Sequence, residues 1–312
     1  MLKSGLLTRF RRFLQQSPVE NVAAPAVGSL TSEDYWSRYN VTGHKNFQSS
    51  QESLRYFDWR TQQYFDYLKY MPVTGQDGKV VLDYGCGPGH DLVGFVEYSR
   101  PWRLIGMDVS RPSLEQAKHR LALHGAAPDL LHINEGTTRL PLPDASVDYI
   151  HCSGVLHHVP DPLWVLREFR RIMKPQGEVR IMVYNYDCIW LHLFAAYTVR
   201  FTQLSGRGLS VHEAFKRSTD TADCPISHAW TVEEVAKMCG EAGFASRHLG
   251  NAVSVREIAI LPNRFEAILD ADLEEEHRRF LLALTFDNRG VPYFRSNAAG
   301  IDGCYLLFPR VG

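Results

Sequence analysis

From residue 80 onward, short apolar runs alternate with longer stretches of helical spacing. Val80–Tyr84, Leu104–Asp108, Leu130–Asn134, Val147–Ser153 and Glu178–Tyr184 read as five strands. Between them, Asp91–Tyr98, Pro112–His124 and Pro162–Met173 carry helical patterns. Ser110 or Pro112 opens the second of these helices, and Pro175 stops the third. The pattern returns with a helix over Val232–Gly243, a strand near Ala245–Leu249 and a last strand over Gly303–Pro309. Phe265–Phe286 reads as mostly helical. Strands that alternate with helices predict an α/β fold: a seven-stranded, mostly parallel sheet covered by helices on both faces.

Three stretches do not fit the alternation. Residues 1–30 read as an N-terminal helix and linker, and residues 31–72 as an aromatic helical cover. Residues 73–312 are then the core, with insertions at about 186–228 and 251–299. Within the first insertion, Ile189–Leu204 is apolar on nearly every side yet too short to span a bilayer. At the N-terminus, Leu2, Leu6, Phe10, Phe13 and Leu14 share one helical face, with Lys3, Arg9, Arg11 and Arg12 nearby. Such a helix either docks on the protein or makes a peripheral contact with an anionic membrane.

Composition narrows the partners. The net charge is −1 and no long basic run occurs, so no nucleic-acid partner is expected. Cys86, Cys152, Cys188, Cys224, Cys239 and Cys304 form no CxxC pair. They read as reduced thiols of a cytoplasmic protein.

The first strand runs into "DYGCGPGHD", with Gly85, Gly87 and Gly89 in five positions. Ligands of open parallel sheets sit beyond the carboxyl ends of the strands, so a loop without Cβ atoms there admits a close ligand. The spacing is GxGxG, not the GxGxxG of a dinucleotide site. Asp91 at the next helix start would repel a pyrophosphate, whereas a cationic sulfonium with an amino-acid tail tolerates carboxylates such as Asp83 far better. Asp108 ends the second strand, 19 residues after Gly89, where a carboxylate can accept both hydrogen bonds of an adenosyl ribose.

"VVLDYGCGPG", "LIGMDVS", "LPLPDASVDYIHCSGVLHHVPDP" and "VLREFRRIMKPQGEVRIMVYN" follow one another in this order. The set resembles the motifs of class I S-adenosylmethionine-dependent methyltransferases, closest to the group similar to ubiquinone/menaquinone C-methyltransferases. The resemblance implies a Rossmann-like fold and S-adenosyl-L-methionine as cofactor. It places Asp83, Gly85, Cys86, Gly87 and Gly89 around the methionine part and Asp108 on the ribose. It puts Val109, Gly136 and Thr137 near the adenine, and the Ser153 backbone beneath the cofactor. The usual adenine-side aspartate is replaced by Gly136, which leaves Glu135, a threonine hydroxyl or water to meet the adenine amino group.

Methyl transfer is an in-line displacement, so positioning supplies much of the rate and no triad is needed. His157 and His158 follow the fourth strand directly and are candidates for a base, the alternative being a structural loop pair. Tyr184 and Asp187 are further candidates. No familiar ligand spacing joins His151, His157 and His158, so no metal site is expected. Tyr184, Phe194 and Tyr197 are the expected walls of the acceptor pocket, with Tyr35, Trp36 and Tyr39 closing from the other side. The expected function is methyl transfer to a small-molecule, lipid-linked or sugar acceptor. A non-catalytic S-adenosylmethionine-binding scaffold and a nicotinamide-dependent oxidoreductase are the alternatives.

Overall fold

The computed structural model describes residues 30–310 except 41, 42 and 44. The amphipathic segment at the N-terminus, with its expected membrane contact, lies outside the described residues. Among the described residues, no helix is long and apolar enough to cross a membrane.

The main strands are β1 (Tyr64–Phe65), β2 (Val80–Tyr84), β3 (Arg103–Asp108), β4 (Asp129–His132), β5 (Val147–Ser153), β6 (Met173–Tyr184) and β7 (Phe244–Ser254). After them come β8 (Thr285–Phe286), β9 (Pro292–Phe294), β10 (Asn297–Ala298) and β11 (Asp302–Pro309). The central sheet has the order β1-β7-β11-β6-β5-β2-β3-β4. It contains the seven expected strands, and the two-residue β1 adds an eighth at the edge. From β4 to β6 all pairings are parallel. β11 runs antiparallel between β6 and β7. Strands β8 to β10 make a separate small antiparallel sheet that the pattern did not announce.

Period-2 alternation assigns each strand residue to a face. Leu82, Ile105, Ile150 and Ile181 pack on one side, with Val165, Leu166, Phe169 and Ile172 of α6 (Pro162–Ile172). Val81 and Tyr149 point to the other side, against Leu92, Val93 and Phe95 of α4 (His90–Tyr98) and Leu114 of α5 (Arg111–Leu123). β2 is buried along its whole length, which is why it reads as an unbroken apolar run apart from Asp83.

The cover consists of α1 (Ser32–Arg38), α2 (Ser50–Thr61) and α3 (Tyr67–Tyr70). The first insertion holds α7 (Trp190–Thr202), wound as a π-helix, and α8 (Val211–Thr219). α9 (Val232–Glu241) returns to the sheet. The second insertion holds α10 (Val255–Ile260), α11 (Arg264–Leu269) and α12 (Glu275–Leu282). The mostly helical stretch expected over 265–286 is two helices followed by β8. Asp270 breaks it: its carboxylate accepts from the backbone N–H of Asp272, an Asx turn that replaces helical bonding. The two insertions share an apolar core of their own, including Leu193, Phe215, Ile260, Leu273 and Phe280.

Candidate active site

Chain order reverses at β2, which lies between β3 and β5, and the crevice at such a point lies beyond the strands' carboxyl ends. The glycine loop occupies it. Gly85, Gly87 and Gly89 all have positive φ, at 75°, 50° and 76°. A Cβ on Gly85 would sit 2.2 Å from Val155 Cγ2, so that glycine lets the loop pack beneath the end of β5. A Cβ on Gly87 would meet nothing within 4 Å, so that glycine borders open space. The Asp108 carboxylate braces the loop: Oδ2 accepts from Gly87 N at 2.7 Å and Oδ1 from Ser110 N at 2.8 Å. Each oxygen keeps a further lone pair for a ligand hydroxyl. Burial raises the Asp108 pKa, and those two N–H groups counter part of the shift.

Below the loop lies a buried charged cluster. Asp83 stands opposite His151 in the β2–β5 register. His151 Nε2 is 3.3 Å from Asp91 Oδ2, and Tyr67 OH donates to the same oxygen at 3.4 Å. Tyr67 OH also lies 2.6 Å from Ser153 Oγ. Burial pushes Asp83 up to about 8; nearby His151 opposes the shift, while Asp91 and Asp108 add to it. Burial works against both partners of the His151–Asp91 pair, yet their mutual bond holds Asp91 below and His151 above their ordinary values. Two carboxylate oxygens, Asp83 Oδ2 and Asp91 Oδ1, are buried without a hydrogen-bond partner. Orphaned carboxylate oxygens beneath an open glycine loop suit a cationic ligand.

Other expected cofactor residues are placed as follows. The Cys86 side chain is in the core beside Gly106 and Leu92, so only its backbone belongs to the loop. Val109 is half-buried, and its carbonyl accepts from His132 at 2.9 Å. Gly136 is exposed with open space at its Cβ position, and Thr137 Oγ1 accepts from Asn134 N at 3.0 Å. Glu135 is turned to the cover, where its carboxylate accepts from Glu33 N at 3.2 Å.

On the acceptor side, His157 and His158 form a short 3-10 turn after β5. His157 Nδ1 accepts from Tyr184 N at 3.2 Å, and the ring stacks on Tyr184 at 3.7 Å. Burial and the neighbouring histidines push its pKa far down. With its lone pair taken by the backbone, His157 latches β5 to β6 and cannot serve as the base that its position suggested. His158 Nδ1 is 2.8 Å from the Ile226 carbonyl, and its Nε2 is 3.4 Å from Asp220 Oδ1. Tyr184 OH also donates to Asp220, at 3.2 Å. Burial lowers the His158 pKa, against the pull of Asp220 and the Ile226 carbonyl.

Trp36 packs against His158 with ring centroids 4.8 Å apart and planes tilted by 59°, and Tyr35 OH accepts from Thr221 at 3.1 Å. The cover and the first insertion therefore meet above the strand ends. Phe194 and Tyr197, expected as pocket walls, pack instead in the insertions' own core. Phe194 is 4.3 Å from Trp190, and Tyr197 is 6.1 Å from Phe201. An all-round apolar helix is satisfied by a second core, and the sequence does not say which core receives it. Of the three expected walls, Tyr184 alone lies beside the histidine pair.

His151, Tyr67, Asp220 and Cys224 were not anticipated as site residues. The one sequence signal for His151 was its place two residues before the end of β5, level with Asp83. Asp220 and Cys224 sit in a loop whose residues carry no periodicity.

A family model described as a methyltransferase domain matches residues 56–249. The chain belongs to this family. Its core is a class I S-adenosylmethionine-dependent methyltransferase domain. A Streptomyces fradiae protein described as an uncharacterized 37.1 kDa protein in transposon TN4556 is 31% identical over 175 residues. That match covers 55% of this chain and 45% of the relative, so it spans less than half of the relative's length. The demethylmenaquinone methyltransferase of Listeria monocytogenes is 30% identical over 178 residues, covering 54% of this chain and 71% of the relative. The solved YcgJ protein of Bacillus subtilis superposes with a TM-score of 0.50 at 19% identity, over 78% of this chain and 97% of that one, a likeness of fold. S-adenosylmethionine fits the residues present: the open Gly87 cradle and the two orphaned carboxylate oxygens suit its backbone-hugging, cationic end.

Proposed function

We propose that this chain transfers a methyl group from S-adenosylmethionine to a small-molecule acceptor that enters between α1 and the first insertion. The observation that carries the reading is the buried pair of orphaned carboxylate oxygens beneath a glycine loop with room for a ligand. S-adenosylmethionine brings a methyl group already activated by its sulfonium. Asp83 and Asp91 supply the negative field for its cationic end. Asp108 holds the ribose, Val109, Gly136 and Thr137 border the adenine, and Ser153 lies under the cofactor.

The acceptor's surroundings are Tyr35, Trp36, His158 and Tyr184. Aromatic faces with a few hydroxyl and carboxylate groups suit a compact ring-bearing acceptor. The relative named demethylmenaquinone methyltransferase supports a small-molecule acceptor of that kind. The chain orients both partners and excludes water, which is the main help an in-line displacement needs.

Calorimetry with S-adenosylmethionine and S-adenosylhomocysteine tests the cofactor half of the proposal. Saturable binding of both is expected. Binding of a nicotinamide dinucleotide in their place would overturn it. Radiolabelled methyl transfer to a panel of ring-bearing small molecules tests the acceptor half, and labelling of protein or nucleic acid alone would overturn that half.

A further inference from the structure

We propose that His158, Asp220 and Cys224 form a binding site for one zinc-class transition-metal ion. One ligand atom from each of the three lies within 4.8 Å of the other two. The three side chains come from two places far apart in sequence: the turn after β5 and the loop after α8. All are shielded from solvent, with Cys224 2% and His158 6% exposed.

The hydrogen bonds define the protonation of His158. A carbonyl can only accept, so the 2.8 Å contact with Ile226 O requires the proton on Nδ1. Nε2 of the neutral ring then points a lone pair at Asp220 Oδ1, 3.4 Å away. With the ring neutral, two lone pairs face each other there, and either a second proton or a metal cation between them removes the repulsion. The separation also matches the edge of a tetrahedron with zinc–nitrogen and zinc–oxygen bonds of about 2.0–2.2 Å, which is roughly 3.3–3.5 Å. Cys224 Sγ is 3.9 Å from the protonated Nδ1 of the same ring and donates to the Ile226 carbonyl at 3.2 Å, so it must give up that bond and rotate toward Nε2 to become the third ligand.

The outer contacts also fit. Histidine ligands usually give their second N–H to a carbonyl or carboxylate, as His158 does to Ile226. Ser227 donates to Asp220 Oδ2 at 3.1 Å, and Thr219 Oγ1, whose one proton is shared with the Phe215 carbonyl at 2.9 Å, lies 2.9 Å from the same oxygen; Oδ1 faces the histidine. Tyr184 adds a third donor to Oδ1 at 3.2 Å. Cys224 N bonds Thr221 O at 3.2 Å, in the turn that sets Cys224 close to Asp220. A thiolate with an imidazole and a carboxylate favours zinc or cobalt over magnesium or calcium, and two anionic ligands neutralise a divalent ion. Binding breaks the Cys224 S–H bond, and the proton leaves to solvent. Three protein ligands leave a fourth position open, the arrangement of ligand-binding rather than purely structural zinc sites. The site does not rest on the methyltransferase reading, since no cofactor residue takes part in it.

Cobalt(II) titration of the chelator-treated full chain tests the proposal. One equivalent should bind, with a thiolate-to-cobalt charge-transfer band that added zinc abolishes. Cys224→Ser should lose the band, and His158→Gln should weaken binding at least tenfold. S-adenosylmethionine calorimetry on the same samples reports that each variant is folded. A wild-type chain that binds S-adenosylmethionine but takes up no cobalt overturns the site, and a proton then bridges His158 and Asp220. A band that survives in Cys224→Ser also overturns it, because one of the other five cysteines would be the ligand.

Discussion

Two buried clusters in this protein each pair a histidine with an aspartate, and they are built differently. The Asp83–Asp91–His151 cluster has more carboxylates than cations and leaves two oxygens orphaned. The His158–Asp220–Cys224 cluster surrounds its one carboxylate with three hydroxyl groups, leaves one of its oxygens facing the imidazole, and presents a thiol. Burial keeps a proton on Asp83 until a cation arrives to make its ionisation favourable, so the first cluster is fitted to a charged cofactor. The second has its one carboxylate held by hydroxyl groups and faces Oδ1 to the His158 imidazole, the arrangement proposed above for a metal ion. The first sits entirely on core motifs. The second draws a residue from the core turn and two from the insertion loop.

The largest expected effect comes from breaking the frame of the first cluster. Gly85→Ala adds a Cβ 2.2 Å from Val155 Cγ2 at a φ of 75°. The left-handed backbone costs about 1–2 kcal/mol and the overpacking about 1–3 kcal/mol more. Chemical denaturation should show that loss, with S-adenosylmethionine binding greatly weakened. Gly208→Ala, at a φ of 79° with open space around it, should cost the backbone part alone. Equal losses in the two variants would show that Val155 yields freely.

Asp108→Ala acts on the cofactor and spares the second cluster. Loss of charge-assisted hydrogen bonds should cost about 1.5–3 kcal/mol of cofactor binding, a tenfold or larger rise in Kd. Calorimetry reads this, and an unchanged Kd in a folded variant would place the ribose elsewhere.

Protonation of Asp83 sharpens the comparison further. Its carboxyl is held up to about 8 by burial, against an ordinary value near 4. In the free protein the native state therefore holds a proton that the unfolded chain has lost, and this group lowers stability as pH rises from about 4 to 8. A cation bound beside Asp83 reverses the preference and expels that proton. Cofactor affinity should then fall by about fiftyfold as pH drops from 8 to 6, approaching tenfold per pH unit below the free-state value. Calorimetry in buffers of different ionisation enthalpy should register about one proton released near pH 7. Proton-independent binding would remove Asp83 from the cationic end.

The smallest expected effect on the cofactor is that of Asp220→Asn. It changes the second cluster alone, so the S-adenosylmethionine Kd should stay within about twofold of wild type, less than 0.5 kcal/mol. Acceptor turnover should fall. A large change in cofactor affinity would show that the two clusters act as one site.

The alternation of strands and helices, the glycine loop and Asp108 were legible because each rests on short-range chemistry. A buried parallel strand must be apolar throughout, and a close backbone approach must be glycine. The same chemistry made the choice between cofactors legible, because Asp83 and Asp91 beside the loop repel pyrophosphate. His157 and His158 were legible as neighbours of the site but not in their roles. Which nitrogen is free depends on Tyr184 N and Ile226 O, atoms from distant segments.

Phe194 and Tyr197 show the opposite limit. Their apolar helix had two possible cores, and nothing in a 13-residue run distinguishes them. The α11 and α12 helices, more than sixty residues later, supply the partner surface. Cys224 in the same way reads as one more buried thiol until the fold sets it beside His158, 66 residues away. The sequence by itself determined the sheet, the place of the cofactor loop and the charge it faces, since strand periodicity, glycine backbone freedom and carboxylate charge are local properties. Only the tertiary structure decided how the roof closes, which histidine keeps a free lone pair and what stands beside it. Those depend on contacts between segments far apart in the chain, and such contacts leave no periodic trace in the sequence.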